Sequence, residues 1–152
     1  LILAQNPELL ILDDFSLGLD PGYRRLFVDY LRDYARSENK TVFLTSHIIQ
    51  DMERLIDDCI IMDYGSILIQ QPIETLMKEL RRYTCTVPEG YQPQLPATCY
   101  HPAVIRQTLE TYSFLPLVDV EKLLKESQVP FTGLQHENVS LEDAFIGLTG
   151  KY

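Results

Sequence analysis

A four-residue apolar run, Leu9 to Leu12, ends on two acids, Asp13 and Asp14. The run is too short for a helix and has the composition of a strand buried on both faces. Asp20-Pro21 follows, an N-cap side chain before a proline at the first helical position, where its missing N–H costs nothing. Leu26, Phe27, Tyr30, Leu31 and Tyr34 then repeat at helical spacing, with Arg24, Arg25, Arg32 and Asp33 on the wet side, which predicts a helix from Pro21 to about Ser37. Thr41 to Thr45 reads as a second buried strand, and Ile48, Ile49, Met52, Leu55 and Ile56 as a second amphipathic helix directly after it. Two strands joined by a helical crossover run parallel and right-handed, so their carboxyl ends share one edge of the sheet.

Cys59 to Met62 and Ile67 to Ile69 flank Asp63-Tyr64-Gly65-Ser66, a strand, tight turn and strand. Pro72 opens a helix with the stripe Ile73, Leu76, Met77 and Leu80, closing the first unit near Arg82. Four of the nine prolines, Pro88, Pro93, Pro96 and Pro102, fall with Gly90 in one stretch that reads as a connector. Beyond it, helical spacing at Val104, Ile105 and Leu109 predicts a helix from Pro102 to about Tyr112. Asp119 to Ser127 predicts a short helix and Val129 to Gln135 a strand. Ser140-Leu141-Glu142-Asp143 is a capping-box signature before a terminal helix that Gly150 should stop.

Charge narrows the function. Thirteen Lys and Arg against 22 Asp and Glu leave a formal charge of −9, which argues against a phosphate-gripping nucleic-acid binder. No apolar run approaches the roughly 18 residues that cross a bilayer. Cys59, Cys85 and Cys99 are odd in number and form no C-x-x-C pair, so they read as packing residues in a reducing compartment. The chain begins with Leu1 and not Met, and is expected to be a fragment.

Asp13 and Asp14 end one strand, and His47 just follows its parallel neighbour. In open α/β sheets the ligand crevice lies outside the carboxyl ends of the strands, so three polar groups converge there. Adjacent carboxylates suit Mg²⁺, which takes one or two of them directly or through water and leaves other positions to phosphate oxygens. His47, placed at a predicted helix start, would add an imidazole donor to the anion-attracting N–H groups. His101 and His136 have no such setting and receive no role.

Leu9-Leu10-Ile11-Leu12-Asp13-Asp14 resembles the Walker B strand of ATP-binding-cassette (ABC) ATPases. Ser16-Leu17-Gly18-Leu19-Asp20-Pro21 resembles the D-loop that follows it, Thr45-Ser46-His47 the switch-histidine segment, and Ala4-Gln5-Asn6-Pro7 the tail of the preceding helix. The ordered set covers about Leu1 to Arg82. The closing segment Ser140 to Gly150 is similar to that of cassette ATPases paired with ABC-2 export permeases, in which a small accessory domain follows the nucleotide-binding domain.

The resemblance implies an α/β fold: a partial P-loop NTPase-like parallel sheet, the carboxyl-terminal half of an ABC ATPase domain, followed by a small α+β accessory domain. It divides the chain into residues 1–84 of the nucleotide-binding domain, a linker at 85–102 and an accessory domain at 103–152. It implies ATP and Mg²⁺ as ligands. Asp13 would hold Mg²⁺ through water, Asp14 would be the general base, and His47 would contact the γ-phosphate. Asp20 would meet a second ATPase subunit across a head-to-tail dimer. A membrane permease is the implied partner, with the ATPase peripheral on the cytoplasmic face of the membrane.

Two departures qualify the resemblance. The family's usual residue at Asp14 is Glu, and Asp is shorter by one methylene, roughly 1.5 Å, so a slow or asymmetric ATPase is expected. No G-x-x-x-x-G-K-[ST] phosphate loop and no Ser-Gly-Gly signature occurs, so the isolated chain is expected to be inactive. Alternatives are a catalytically degenerate regulatory or interaction module of the same ancestry, and a cassette ATPase that moves no cargo.

Overall fold

The computed structural model describes residues 3–15, 18–50 and 52–150, and the chain forms two units, Leu1–Asp57 and Asp58–Tyr152. The architecture is α/β, with four α-helices and both parallel and antiparallel pairing among the described residues.

In the first unit, β1 (Leu9–Asp13) and β2 (Thr41–Thr45) pair in parallel, with Leu10 opposite Val42 and Asp13 opposite Thr45. The crossover between them is α1 (Pro21–Ser37). Asp20 caps it as the sequence predicts, its Oδ1 accepting from the N–H groups of Gly22 at 3.0 Å and Tyr23 at 3.2 Å. Leu10, Val28 and Leu31 are buried. The expected burial of β1 on both faces does not hold: Leu9, Ile11 and, on β2, Phe43 share the other face and are 52, 70 and 54% exposed. Of the predicted helical stripe, Leu26 and Tyr30 are likewise exposed.

Among the described residues, the helix predicted after β2 is absent. Ser46 Oγ accepts from the N–H of Ile48 at 3.0 Å and donates to its carbonyl at 3.2 Å, bonds local to the turn after β2. Among the described residues a 3-10 turn, Met52–Arg54, forms in its place, and Met52 and, just after it, Leu55 are buried.

The second unit begins with the antiparallel hairpin of β3 (Asp58–Asp63) and β4 (Ser66–Pro72), then α2 (Ile73–Glu79). Tyr64 and Gly65 at the tip have φ of 44° and 80°, the left-handed pair that a two-residue hairpin turn demands. Next comes a four-stranded antiparallel sheet in the order β6-β7-β5-β8, built from β5 (Arg81–Thr86), β6 (Tyr100–Ile105), β7 (Thr108–Ser113) and β8 (Thr132–Asn138). α3 (Leu117–Glu126) and α4 (Leu141–Thr149) complete the unit.

Four expectations change here. Residues 102–112 form the hairpin β6–β7 and no helix, because Val104, Ile105, Thr108 and Thr111 supply β-branched residues and Arg106 turns with φ 58°. β5 crosses the expected boundary at 84/85 and pairs on both sides with β7 and β8. The proline-rich stretch is packed: Val87 and Cys99 are buried, and Tyr91 and Leu95 lie against the core of Tyr83, Cys85, Leu109, Val120, Leu124 and Val129. The last strand starts at Thr132, three residues later than predicted.

The terminal helix follows its sequence signature. Ser140 Oγ accepts from the Asp143 N–H at 3.1 Å, and the Asp143 carboxylate accepts from the Ser140 N–H at 3.3 Å. Gly150 adopts φ 68°, and a Cβ there would fall 2.4 Å from the His101 ring, whose Nε2 lies 3.2 Å from the Leu148 carbonyl. Cys59, Cys85 and Cys99 are buried free thiols, pushed up in pKa by burial, which is the behaviour of packing residues.

Candidate nucleotide site

The end of β1 and the segment after β2 bring the predicted residues together. Register sets Asp13 beside Thr45. Thr45 Oγ1 donates a short hydrogen bond to Asp13 Oδ1. The Asp14 N–H points at two acceptors on the same residue, the Thr45 carbonyl and Thr45 Oγ1, each at 3.1 Å. The sequence marks Thr45 only as part of the switch-histidine-like segment; its contact with the acids, 31 and 32 residues away, is revealed by strand register alone.

Asp14 has φ 44°, a left-handed conformation uncommon for residues other than glycine and found more often for Asp and Asn. Strand alternation therefore ends at this residue. Its Oδ1 stands 2.8 Å from His47 Nδ1, a close approach without the alignment of a hydrogen bond. That oxygen is buried and accepts no hydrogen bond in the structure. The imidazole itself is mostly exposed, with Nε2 its remaining polar atom.

His47 does not sit at a helix start, because the helix is absent, so the predicted reinforcement by helical N–H groups falls away. Asp20 sits apart from the acids in its role, its Oδ1 engaged in capping α1. Ser16 and Leu17 of the D-loop-like segment lie outside the described residues. His101 contacts the end of α4, and His136 stacks on Tyr83 with ring centroids 5.8 Å apart; both belong to the packing of the second unit.

Could this corner take a magnesium nucleotide? Among the described residues no group of three or more His, Cys, Asp or Glu is arranged to hold a metal. The neighbouring carboxylates Asp13 and Asp14 are the kind of donor Mg²⁺ takes, one or two at a time, with waters and phosphate oxygens in its other positions. Asp14 Oδ1, close to His47 Nδ1 but accepting no aligned hydrogen bond, belongs to a carboxylate that suits a donor such as a water molecule.

No protein-family model matches the chain. Among curated proteins, Nod factor export ATP-binding protein I of Ralstonia nicotianae is 33% identical over 160 residues, covering 98% of this chain and 49% of that protein. The protein of the same name from Burkholderia orbicola is 29% identical, with the same shares covered. Energy-coupling factor transporter ATP-binding protein EcfA2 of Clostridioides difficile is 41% identical over 66 residues, 43% of this chain and 23% of that protein. The chain thus spans about half the length of the curated relatives that match it throughout. On these likenesses the chain belongs to the ABC family of ATP-binding proteins.

Proposed function

We propose that this chain supplies the Walker B strand, D-loop and switch histidine of an ATP-hydrolysing site in the ATP-binding subunit of an export transporter. The observation that carries the reading is the convergence of Asp13, Asp14 and His47 at one strand edge, with His47 Nδ1 2.8 Å from Asp14. Export is favoured because relatives matching 98% of the chain are named export ATP-binding proteins, whereas the energy-coupling relative matches 43% of it. The phosphate loop is supplied by polypeptide outside these 152 residues, since none of its motif occurs within them.

In this reading Asp13 would hold Mg²⁺, through water, and the ion would neutralise phosphate charge when bound. Asp14 Oδ1 takes the proton of the water that attacks the γ-phosphate, work that typically contributes about 10²- to 10⁴-fold. His47 faces Asp14 through Nδ1 and leaves Nε2 to donate to a phosphate oxygen. Asp20 fixes the start of α1 and so presents the D-loop to a second ATPase subunit. A membrane permease would be the further partner, with the ATPase on the cytoplasmic face; no described helix is itself long and apolar enough to cross a membrane. Because β5 is the inner strand between β7 and β8, we place the accessory domain at 81–149 and the nucleotide-binding part before it.

The test is Asp14→Asn and Asp14→Glu in the assembled ATPase. D14N should lower turnover about 10²-fold or more with ATP still bound. D14E should raise turnover by restoring the longer reach. Unchanged turnover in D14N would instead mark the chain as a catalytically silent module, and unchanged or lower turnover in D14E would remove the slow-ATPase reading.

A further inference from the structure

The proposed site needs two neighbouring carboxylates held in different directions, and one hydroxyl touches the residues of both. Thr45 Oγ1 gives its proton to Asp13 Oδ1 and receives the N–H of Asp14 at 3.1 Å, while the Thr45 carbonyl shares that N–H at the same distance. We propose that Thr45 is the positioning residue of this site, its hydroxyl aiming the Asp13 carboxylate and locking the turn that directs Asp14 at His47. The inference rests on the ATPase reading and deepens it.

The chemistry of the group supports this. A hydroxyl has one proton and two lone pairs, so committing the proton to Asp13 leaves a lone pair for the Asp14 N–H. With Asp13 Oδ1 so engaged, Oδ2 is the oxygen left for a cation or its water. Asp14 sits at φ 44°, a conformation that persists in a residue with a Cβ only when its surroundings hold it. Two acceptors from one residue on one N–H are such a hold. The contribution to stability is small, because the hydrogen bonds are exposed at a strand end. Orientation is what the hydroxyl supplies, and misplacement by an ångström at a reacting centre can cost about 10²-fold in rate.

Thr45→Val keeps the branched shape and strand preference and removes only the hydroxyl; Thr45→Ser keeps the hydroxyl and removes the methyl. In the assembled ATPase, T45V should lower kcat about tenfold or more with KM for ATP within about twofold, and T45S should restore kcat to within about threefold of the parent. In the chain itself, the backbone amide resonance of Asp14 should move in T45V and stay in T45S, with the thermal unfolding of all three alike. T45V turning over like the parent while D14N is inactive overturns the inference and leaves the ATPase reading standing, as does T45S failing to restore kcat or a change confined to KM. D13N and D14N both turning over like the parent overturn the ATPase reading and the positioning role with it, whatever the Asp14 amide shows.

Discussion

The two units bury their apolar residues to different degrees. In Asp58–Tyr152, Tyr83, Leu109, Val120 and Leu124 are at most 2% exposed, and the Tyr83 hydroxyl still finds the Leu115 carbonyl. In Leu1–Asp57, Leu10, Val28 and Leu31 are buried, whereas Leu9, Ile11 and Phe43 stand open on one face of the β1–β2 pair. A four-stranded sheet can close a core with α3, whereas a two-stranded parallel pair has a second face and little to cover it. The residues assigned to chemistry lie on the sparser unit. The better-packed unit carries no group to which we assign a reaction.

The comparison would break most readily at Leu124. It is 1% exposed within the core that α3 shares with β5 and β7, so Leu124→Ala removes buried methyl groups and leaves a cavity. The expected loss is about 2–5 kcal/mol, read from amide hydrogen exchange along β5 and β7. A loss below about 1 kcal/mol would mean that this unit collapses around the gap and is less tightly packed than it looks.

Alkali should separate the units next. Burial pushes the thiols of Cys59, Cys85 and Cys99 above their ordinary value of 9.0, and burial also raises Tyr83 and Tyr112 above 10.0. All five belong to the second unit. For each, the folded state keeps its proton longer than the unfolded chain does. The stability they contribute is therefore complete below the unfolded pKa and is lost as pH rises from about 9 through the higher folded values. Exchange measured against pH should show β5 and β7 weakening above pH about 9, with β1 and β2 changing less. Equal weakening in both units would remove the assignment of this lability to the buried thiols and phenols.

How legible these differences were in the sequence depended on range. Asp20-Pro21, Ser140 to Asp143 and Gly150 announced their caps because the partners lie within a few residues. The carboxyl-edge placement of Asp13 and His47 followed from a strand–helix–strand order, which fixes direction without needing side-chain detail. Apolar spacing misled where length was too short to separate periods: Val104, Ile105 and Leu109 suit a helix, yet Leu109 pairs with Val104 across a hairpin. After β2, the helical spacing of Ile48, Ile49, Met52, Leu55 and Ile56 yields only the 3-10 turn Met52–Arg54 among the described residues. The contacts of Thr45 with the two acids are illegible for a different reason: the motif marks the residue, but its partners are 31 and 32 residues away. An apolar strand reads the same whether or not its own chain covers its second face, and within these 152 residues that face of β1 is open.

That last point gives the smallest predicted effect. Ile11 lies opposite Phe43 in the pair and is 70% exposed, so Ile11→Thr exchanges one β-branched residue for another at a wet position. Stability, followed by exchange of the β1 and β2 amides, should change by no more than about 0.5 kcal/mol. The substitution should also reduce any concentration-dependent association seen by sedimentation, because it shortens the apolar row formed with Leu9 and Phe43. A loss of about 2 kcal/mol would be the size expected for a buried side chain and would mean that this face is covered in solution, which would erase the contrast between the units.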